Sequence, residues 1–281
     1  MRLSALRAPS PLPGWGLSVG ITVALLSLVV LLPIAALLVR AAGISPAELW
    51  SVIGSKRVLA ALALSFRAAL IAATFNLVFG LALAWVLVRY PFPGRRLVDA
   101  AVDLPFALPT AVAGIALTTL YAPNGVFGAP IQALTGGRVA YTEAGIWIAL
   151  VFVGLPFVVR TVQPVIAELD SEVEEASATL GASRATTLRR VVLPTLLPAL
   201  LTGFALALAR GVGEYGSVIF IAGNLPFQTE IAPLLIVIRL EEFDYDGAVA
   251  IALAMLSISF AMLLLINLIQ VWSRRHTEAA S

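Results

Sequence analysis

The chain has 281 residues, of which 60% are hydrophobic and only 12% charged, with a formal net charge of +2. Soluble domains run roughly 45–50% apolar and about 25% charged, so this is an integral membrane protein, and its apolar runs leave no length for a soluble catalytic domain. The absence of cysteine excludes disulfides, thiolate metal sites and a cysteine nucleophile, and the one histidine, His276, sits beside Arg274 and Arg275 in the C-terminal tail.

Crossing the hydrocarbon core takes about 20 apolar residues per helix. Six spans are predicted, near 17–40, 60–89, 98–122, 145–166, 195–222 and 247–272, giving an all-α membrane domain over residues 1–281. The run around Val19–Val39 exceeds the roughly 7–15 apolar residues of a signal peptide, so a retained first helix is expected. Tyr90-Pro91-Phe92-Pro93-Gly94 reads as a tight turn, since each proline disfavours helix at the residue before it. Pro105 and Pro109 are positioned to kink the third span and free backbone groups near Thr110. Ala122-Pro123-Asn124-Gly125 opens the loop that follows.

With both termini on one side, that side holds ten of the eighteen basic residues, among them Arg2, Arg7, Arg89, Arg184, Arg189 and Arg190, against five on the other. Basic loops resist translocation, so both termini are expected in the cytoplasm. The basic residues are thereby explained by topology and membrane lipid, and no nucleic-acid partner is expected. The largest inner loop is then 167–194.

That loop has its own signals. Ser171 and Glu174 have capping-box spacing, which predicts a helix from Ser171. Val173, Ala176, Ser177 and Leu180 recur at i, i+3, i+4 and i+7 and form one mildly apolar face suited to a groove on another protein. Gly181 suits a left-handed helix end, Ser183 can cap a second short helix carrying Leu188, Arg189 and Arg190, and Pro194 fits the opening turn of the fifth span. Two short helices meeting at an elbow are expected.

Charges inside the bilayer are costly and usually pair or line a functional cavity. Arg210 and Glu214 are i, i+4 neighbours in the fifth span and are expected to pair, either as a lock between helices or as part of a gate. Gly211, Gly213 and Gly216 around them permit close helix approach. Arg67 and Arg160 are expected to snorkel to the two interfaces. Thr110 and Ser217 offer hydroxyls within the spans, or bond back to their own helices. An intramembrane hydrolase lacks support, because no histidine lies in the spans and Asp99 and Asp103 have no evident carboxylate partner elsewhere. The only lysine, Lys56, follows Gly54-Ser55 without a phosphate-cradling Gly-x-x-x-x-Gly-Lys-Ser/Thr loop. No cofactor, metal or catalytic residue is expected on this chain.

Glu175-Ala176-Ser177, three residues, Gly181, nine residues, then Val191-Val192-Leu193-Pro194 resembles the EAA loop of importer-type ABC permeases, with Ser177 and Val191 as conservative departures. The resemblance implies that Glu175, Ala176, Gly181, Leu193 and Pro194 dock and couple to a separate ATPase. Leu104–Gly114, Leu155–Pro164 and Gly213–Asn224 are similar to the T-type permeases of bacterial sulfate/thiosulfate ABC importers, over roughly residues 60–275. Molybdate or tungstate permeases share the architecture and are the alternative. The resemblance implies a six-helix permease in the bacterial inner membrane. It also implies a second, W-type permease, two ATP-binding subunits and a periplasmic sulfate/thiosulfate-binding protein as partners. From their own chemistry, the paired charges Arg210 and Glu214 and the hydroxyls of Thr110 and Ser217 are expected in or near the translocation path.

Overall fold

A computed structural model describes residues 15–278; Arg2 and Arg7 lie outside the described residues, as do the side chains of Arg274, Arg275 and His276. Every regular element among the described residues is a helix. In chain order these are α1 (Trp15–Ala42), α2 (Pro46–Ile53), α3 (Lys56–Arg89), α4 (Arg95–Val102), α5 (Leu104–Ala107), α6 (Thr110–Tyr121), α7 (Gly128–Thr135), α8 (Glu143–Ala167), α9 (Ser171–Thr179), α10 (Arg184–Val212), α11 (Val218–Ile221), α12 (Ala232–Glu241) and α13 (Tyr245–Glu278). Five of them, α1, α3, α8, α10 and α13 as far as Gln270, are long and apolar enough to cross a membrane, and α6 is a shorter apolar helix.

The centre is a three-helix packing of α3, α8 and α10. Lipid tails are as apolar as leucine, so such helices associate through close packing of small residues rather than through hydrophobic expulsion. On α3 the buried face is Ala61, Ser65, Ala68, Ala69, Ala72, Ala73, Asn76, Gly80 and Ala84. A Cβ on Gly80 would lie 3.0 Å from Val158, and one on Gly203 of α10 would lie 2.9 Å from the Val158 backbone. α13 lies against α10 and α12, and α1 and α2 lean on α13, with the apolar surface of α1 exposed along its length.

Two expected spans are not continuous helices. The third is divided into α4, α5 and α6, with Leu108 and Pro109 extended at ψ 135°. Pro105 enters the first turn of α5 and Pro109 immediately precedes α6, the positions at which a ring without an N–H is tolerated. The fifth ends at Val212 rather than 222, where Gly213 closes the helix and residues 213–217 leave it before α11 begins. The glycines that permit close approach also lower the cost of leaving the helix there.

A further departure lies at the elbow. The short helix capped by Ser183 runs without a break into the fifth span, so Pro194 sits within α10 rather than opening a separate helix. A π-helical stretch, Leu188–Val192, immediately precedes it, with the Leu193 amide donating to the Leu188 carbonyl. The same device occurs at Ser27–Leu31, ahead of Pro33 in α1. A proline removes one i→i−4 bond and crowds the carbonyl four residues back, and the widened turn absorbs both defects.

Arg160 does not snorkel. Its Nε and Nη2 fork onto Asp103 at 2.8 and 2.7 Å, Nη1 donates to Asp99 and to Gln163 at 2.6 Å each, and Nη2 also reaches the Asp99 carbonyl at 2.7 Å. That carbonyl belongs to the last turn of α4, where intrahelical donors run out, so the guanidinium also caps a helix end. The Phe106 and Phe157 rings meet edge to face at 5.2 Å beside it. The broken segment is thus clamped to α8 at its break.

Removing one partner of a buried ion pair costs roughly 3–5 kcal/mol, and exposed pairs contribute about 0–1 kcal/mol. With the Arg160, Asp99 and Asp103 side chains 30, 45 and 50% exposed, Arg160→Ala is expected to destabilise the fold by about 1–2 kcal/mol. Thermal unfolding in detergent measures this, and Asp103→Asn in the same background is expected to return part of the loss.

Candidate functional site

Two groups of residues emerge, one at each end of α10. At the first, α9 begins at Ser171 as expected, but the cap comes from Asp170, whose carboxylate accepts the Glu172 amide at 2.9 Å. Gly181 has φ +81°, a left-handed conformation in which side chains with a Cβ are strained, and Ser183 caps the start of α10 by accepting from the Thr186 amide. Of the apolar face on α9, Val173 is 50% and Leu180 88% exposed, so it is free of intramolecular cover. Ser177 turns inward and bonds the Thr187 hydroxyl, which joins α9 to the start of α10. Glu175, Ala176 and Pro194 are exposed and Leu193 is half-buried.

The second group lies about 24 Å along α10 from Pro194, at 1.5 Å per residue over sixteen residues. Arg210 in its last turn pairs with Glu214, which lies beyond the helix end, so the expected pair forms without a continuous helix between them. Glu214 is 3% exposed and also accepts from the Ser217 amide and hydroxyl at 2.7 and 2.8 Å. One carboxylate therefore neutralises Arg210 and organises the non-helical 213–217 segment. Ser217 spends its hydroxyl there rather than on its own helix, a use that spacing along a helix does not suggest.

Thr110 joins the same group. A Cβ on Gly216 would lie 2.2 Å from Thr110 Oγ1, and a Cβ on Gly114 would lie 2.5 Å from the Ser217 carbonyl oxygen. The break in the third span and the break in the fifth therefore face each other across two glycines. Among the candidate residues, Thr110, Arg210, Glu214 and Ser217 come together, and the docking residues lie apart from them.

Other charged contacts were not legible from the sequence. Arg57 donates to Glu230 at 2.8 and 2.6 Å, and the Ser65 hydroxyl accepts the Ala232 amide at 2.8 Å, tying the segment after α11 back to α3. Arg67, expected to snorkel, instead reaches both carboxylate oxygens of Glu143 at 2.7 and 2.8 Å. Arg89 pairs with Glu174. The available signal was the cost of a lone arginine in an apolar run, which demands a carboxylate but does not say which one. Among the described residues no group of three or more His, Asp or Glu is placed to hold a metal ion.

The interrupted third span thus packs against the interrupted fifth, and an exposed short helix, α9, lies at the other end of α10. The family described as "Binding-protein-dependent transport system inner membrane component" matches residues 76–278. The chain belongs to this family. It is accordingly an inner membrane permease component that crosses the bilayer several times. It is 50% identical over 92% of its length to the "Sulfate transport system permease protein CysT" of Salmonella typhimurium, covering 93% of that protein. It is also 50% identical to the Escherichia coli protein of the same description, with the same coverage, and 49% identical over 97% of its length to a probable sulfate transport system permease of Nephroselmis olivacea, 95% of which is covered.

Solved structures agree on the fold. A crystal structure of a bacterial ABC transporter involved in import of the acidic polysaccharide alginate matches with a TM-score of 0.72 at 17% identity, over 93% of this chain and 96% of that one. An inward-facing MetNI methionine ABC transporter matches with a TM-score of 0.52 at 20% identity, over 85% of this chain and 100% of that one.

The permease's two facing breaks leave no room for an added methyl. Gly114→Ala is expected to cost about 1–3 kcal/mol through overpacking, because the neighbouring atoms are Ser217 backbone. Gly20→Ala, with nothing within 4 Å of the new carbon, is expected to cost nothing. Thermal unfolding of the two variants side by side checks the difference.

Proposed function

We propose that this chain is the sulfate/thiosulfate-translocating permease subunit of an ATP-driven importer. The observation that carries the reading is 50% identity over 92% of the chain to a sulfate transport system permease, and it favours sulfate over the molybdate or tungstate alternative. The chain works as a non-enzymatic half of the pathway. A second, W-type permease supplies the other half, two ATP-binding subunits hold and hydrolyse ATP, and a periplasmic binding protein delivers the anion. Both termini lie in the cytoplasm.

Mechanically, the exposed face of α9, with Glu175 and Ala176 on that helix and Gly181 shaping the elbow, docks on one ATPase. Leu193 and Pro194 join the elbow to α10, which is continuous from Arg184 to Val212. A rigid helix carries displacement along its length, so movement of the elbow reaches Arg210, Glu214 and Ser217, and through Gly216 it reaches Thr110. For a dianion, an unpaired arginine would hold cargo too tightly. Pairing with Glu214 leaves the two side chains together close to net neutral, so hydroxyls and amides provide weak, reversible contacts.

Uptake of radiolabelled sulfate into proteoliposomes containing this chain, the partner permease, the ATPase and the binding protein tests the substrate. ATP-dependent uptake that resists modest molybdate is expected, and preferential molybdate uptake would overturn the substrate while leaving the fold untouched. A valine at Gly181 costs about 1–3 kcal/mol of backbone strain, equivalent to roughly 5- to 150-fold in the docked population. Gly181→Val is therefore expected to reduce uptake by about that factor. Arg210→Ala is expected to abolish uptake in a complex that still assembles; loss of assembly, read by co-purification, would identify a purely structural pair.

A further inference from the structure

α9 is held by few contacts. Among the described residues its side-chain hydrogen bonds to other elements are two, Ser177 to Thr187 at the start of α10 and Glu174 to Arg89. The first joins neighbours in sequence. The second crosses to the last residue of α3, 85 positions away.

Arg89 is not an ordinary surface cation. Its guanidinium lies over the Trp85 ring, 5.2 Å from the centroid, and its Nη2 donates to Glu174 Oε1. The side chains are 23 and 34% exposed, and Arg89 Nε is buried without a partner. Stacking on Trp85 restricts the long side chain before it meets Glu174, which removes much of the entropic penalty that makes free surface pairs weak. Behind the pair, α3 is packed through its small-residue face onto α8 and α10. Displacement of its inner end therefore moves a helix that is held along its whole length. Beside the pair is a cleft of about 490 Å³ between Trp85 and Tyr90 on one wall and Glu175, Leu188 and Val192 on the other. The cleft leaves space for the elbow to rock while the ion pair holds.

We propose that Arg89 is a positioning residue for transport: through Glu174 it links the docking helix to α3, so that the elbow drives α3 as well as α10. This rests on the assignment of the elbow as the ATPase-docking site. Glu174 precedes Glu175 and is thereby assigned an inward-facing role distinct from the docking acid.

The test uses the complete transporter in proteoliposomes, with sulfate uptake and ATP hydrolysis measured on the same samples. Arg89→Ala is expected to keep assembly and keep hydrolysis within about twofold, while anions moved per ATP fall at least about fivefold, the low end of coupling between sites. Arg89→Glu is expected to be worse, and combining it with Glu174→Arg is expected to restore at least half of the ratio. An unchanged ratio in Arg89→Ala, or no restoration by the charge exchange, overturns the proposal. If Arg89→Ala fails to assemble, Glu174→Gln reads the same link from the elbow with Arg89 intact, and an unchanged ratio there overturns it as well. Gly181→Val run in parallel separates the two levels. If it lowers uptake and Arg89→Ala leaves the ratio unchanged, only the Arg89 link fails; if both variants behave as wild type, the docking assignment itself is lost.

Discussion

A membrane interior offers no water to a broken helix, so every carbonyl, amide and charge released by a break must find its partner within the protein. This chain breaks two of its spans, at 103–109 and at 213–217, and the rest of the structure follows from how the two breaks are satisfied. At the first, Arg160 uses all its donor groups on Asp99, Asp103 and Gln163 and caps the open end of α4. At the second, buried Glu214 takes the Ser217 amide and hydroxyl and neutralises Arg210. Each break is stabilised by one charged side chain, with opposite signs at the two places.

The breaks also need each other. Ser217 backbone packs onto Gly114, and Thr110 packs onto Gly216, at distances that exclude any Cβ. Irregular backbone at this depth is tolerated where it is buried in protein or lines a cavity, and here each irregular segment supplies part of the other's cover.

Proline does different work at the opposite end. In α10 the π-helical stretch before Pro194 lets one helix run from the capped elbow into the spans, where a sharp stop would have left the elbow hinged and mechanically isolated. The widened turn ahead of Pro33 in α1 shows the same accommodation in a helix that carries no elbow. The geometry therefore follows from proline chemistry rather than from the elbow itself.

Much was legible along the chain because the relevant physics is local. Apolar length identified the spans, Gly181 and Ser183 marked the elbow, and the Glu175-to-Pro194 spacing pointed to a docking loop. The pair of Arg210 and Glu214, four residues apart, needed no tertiary information beyond the backbone between them. Pairings across 57 to 173 residues, Arg160 with Asp103, Arg89 with Glu174 and Arg57 with Glu230, were invisible, because any inner or outer carboxylate satisfies the same requirement on sequence grounds. Continuity of the elbow with the fifth span was misread for a related reason: proline weakens a helix locally, and packing on the next turns decides whether the helix bends, widens or stops. By itself, then, the sequence determined that the chain spans a membrane, where it turns and which loop carries a short exposed helix ending at a left-handed glycine, all consequences of length, period and local backbone preference. Only the tertiary structure decided where the third and fifth spans open, that the two openings face each other, and which carboxylate each arginine takes, since those choices depend on which helices lie within a few ångströms of one another.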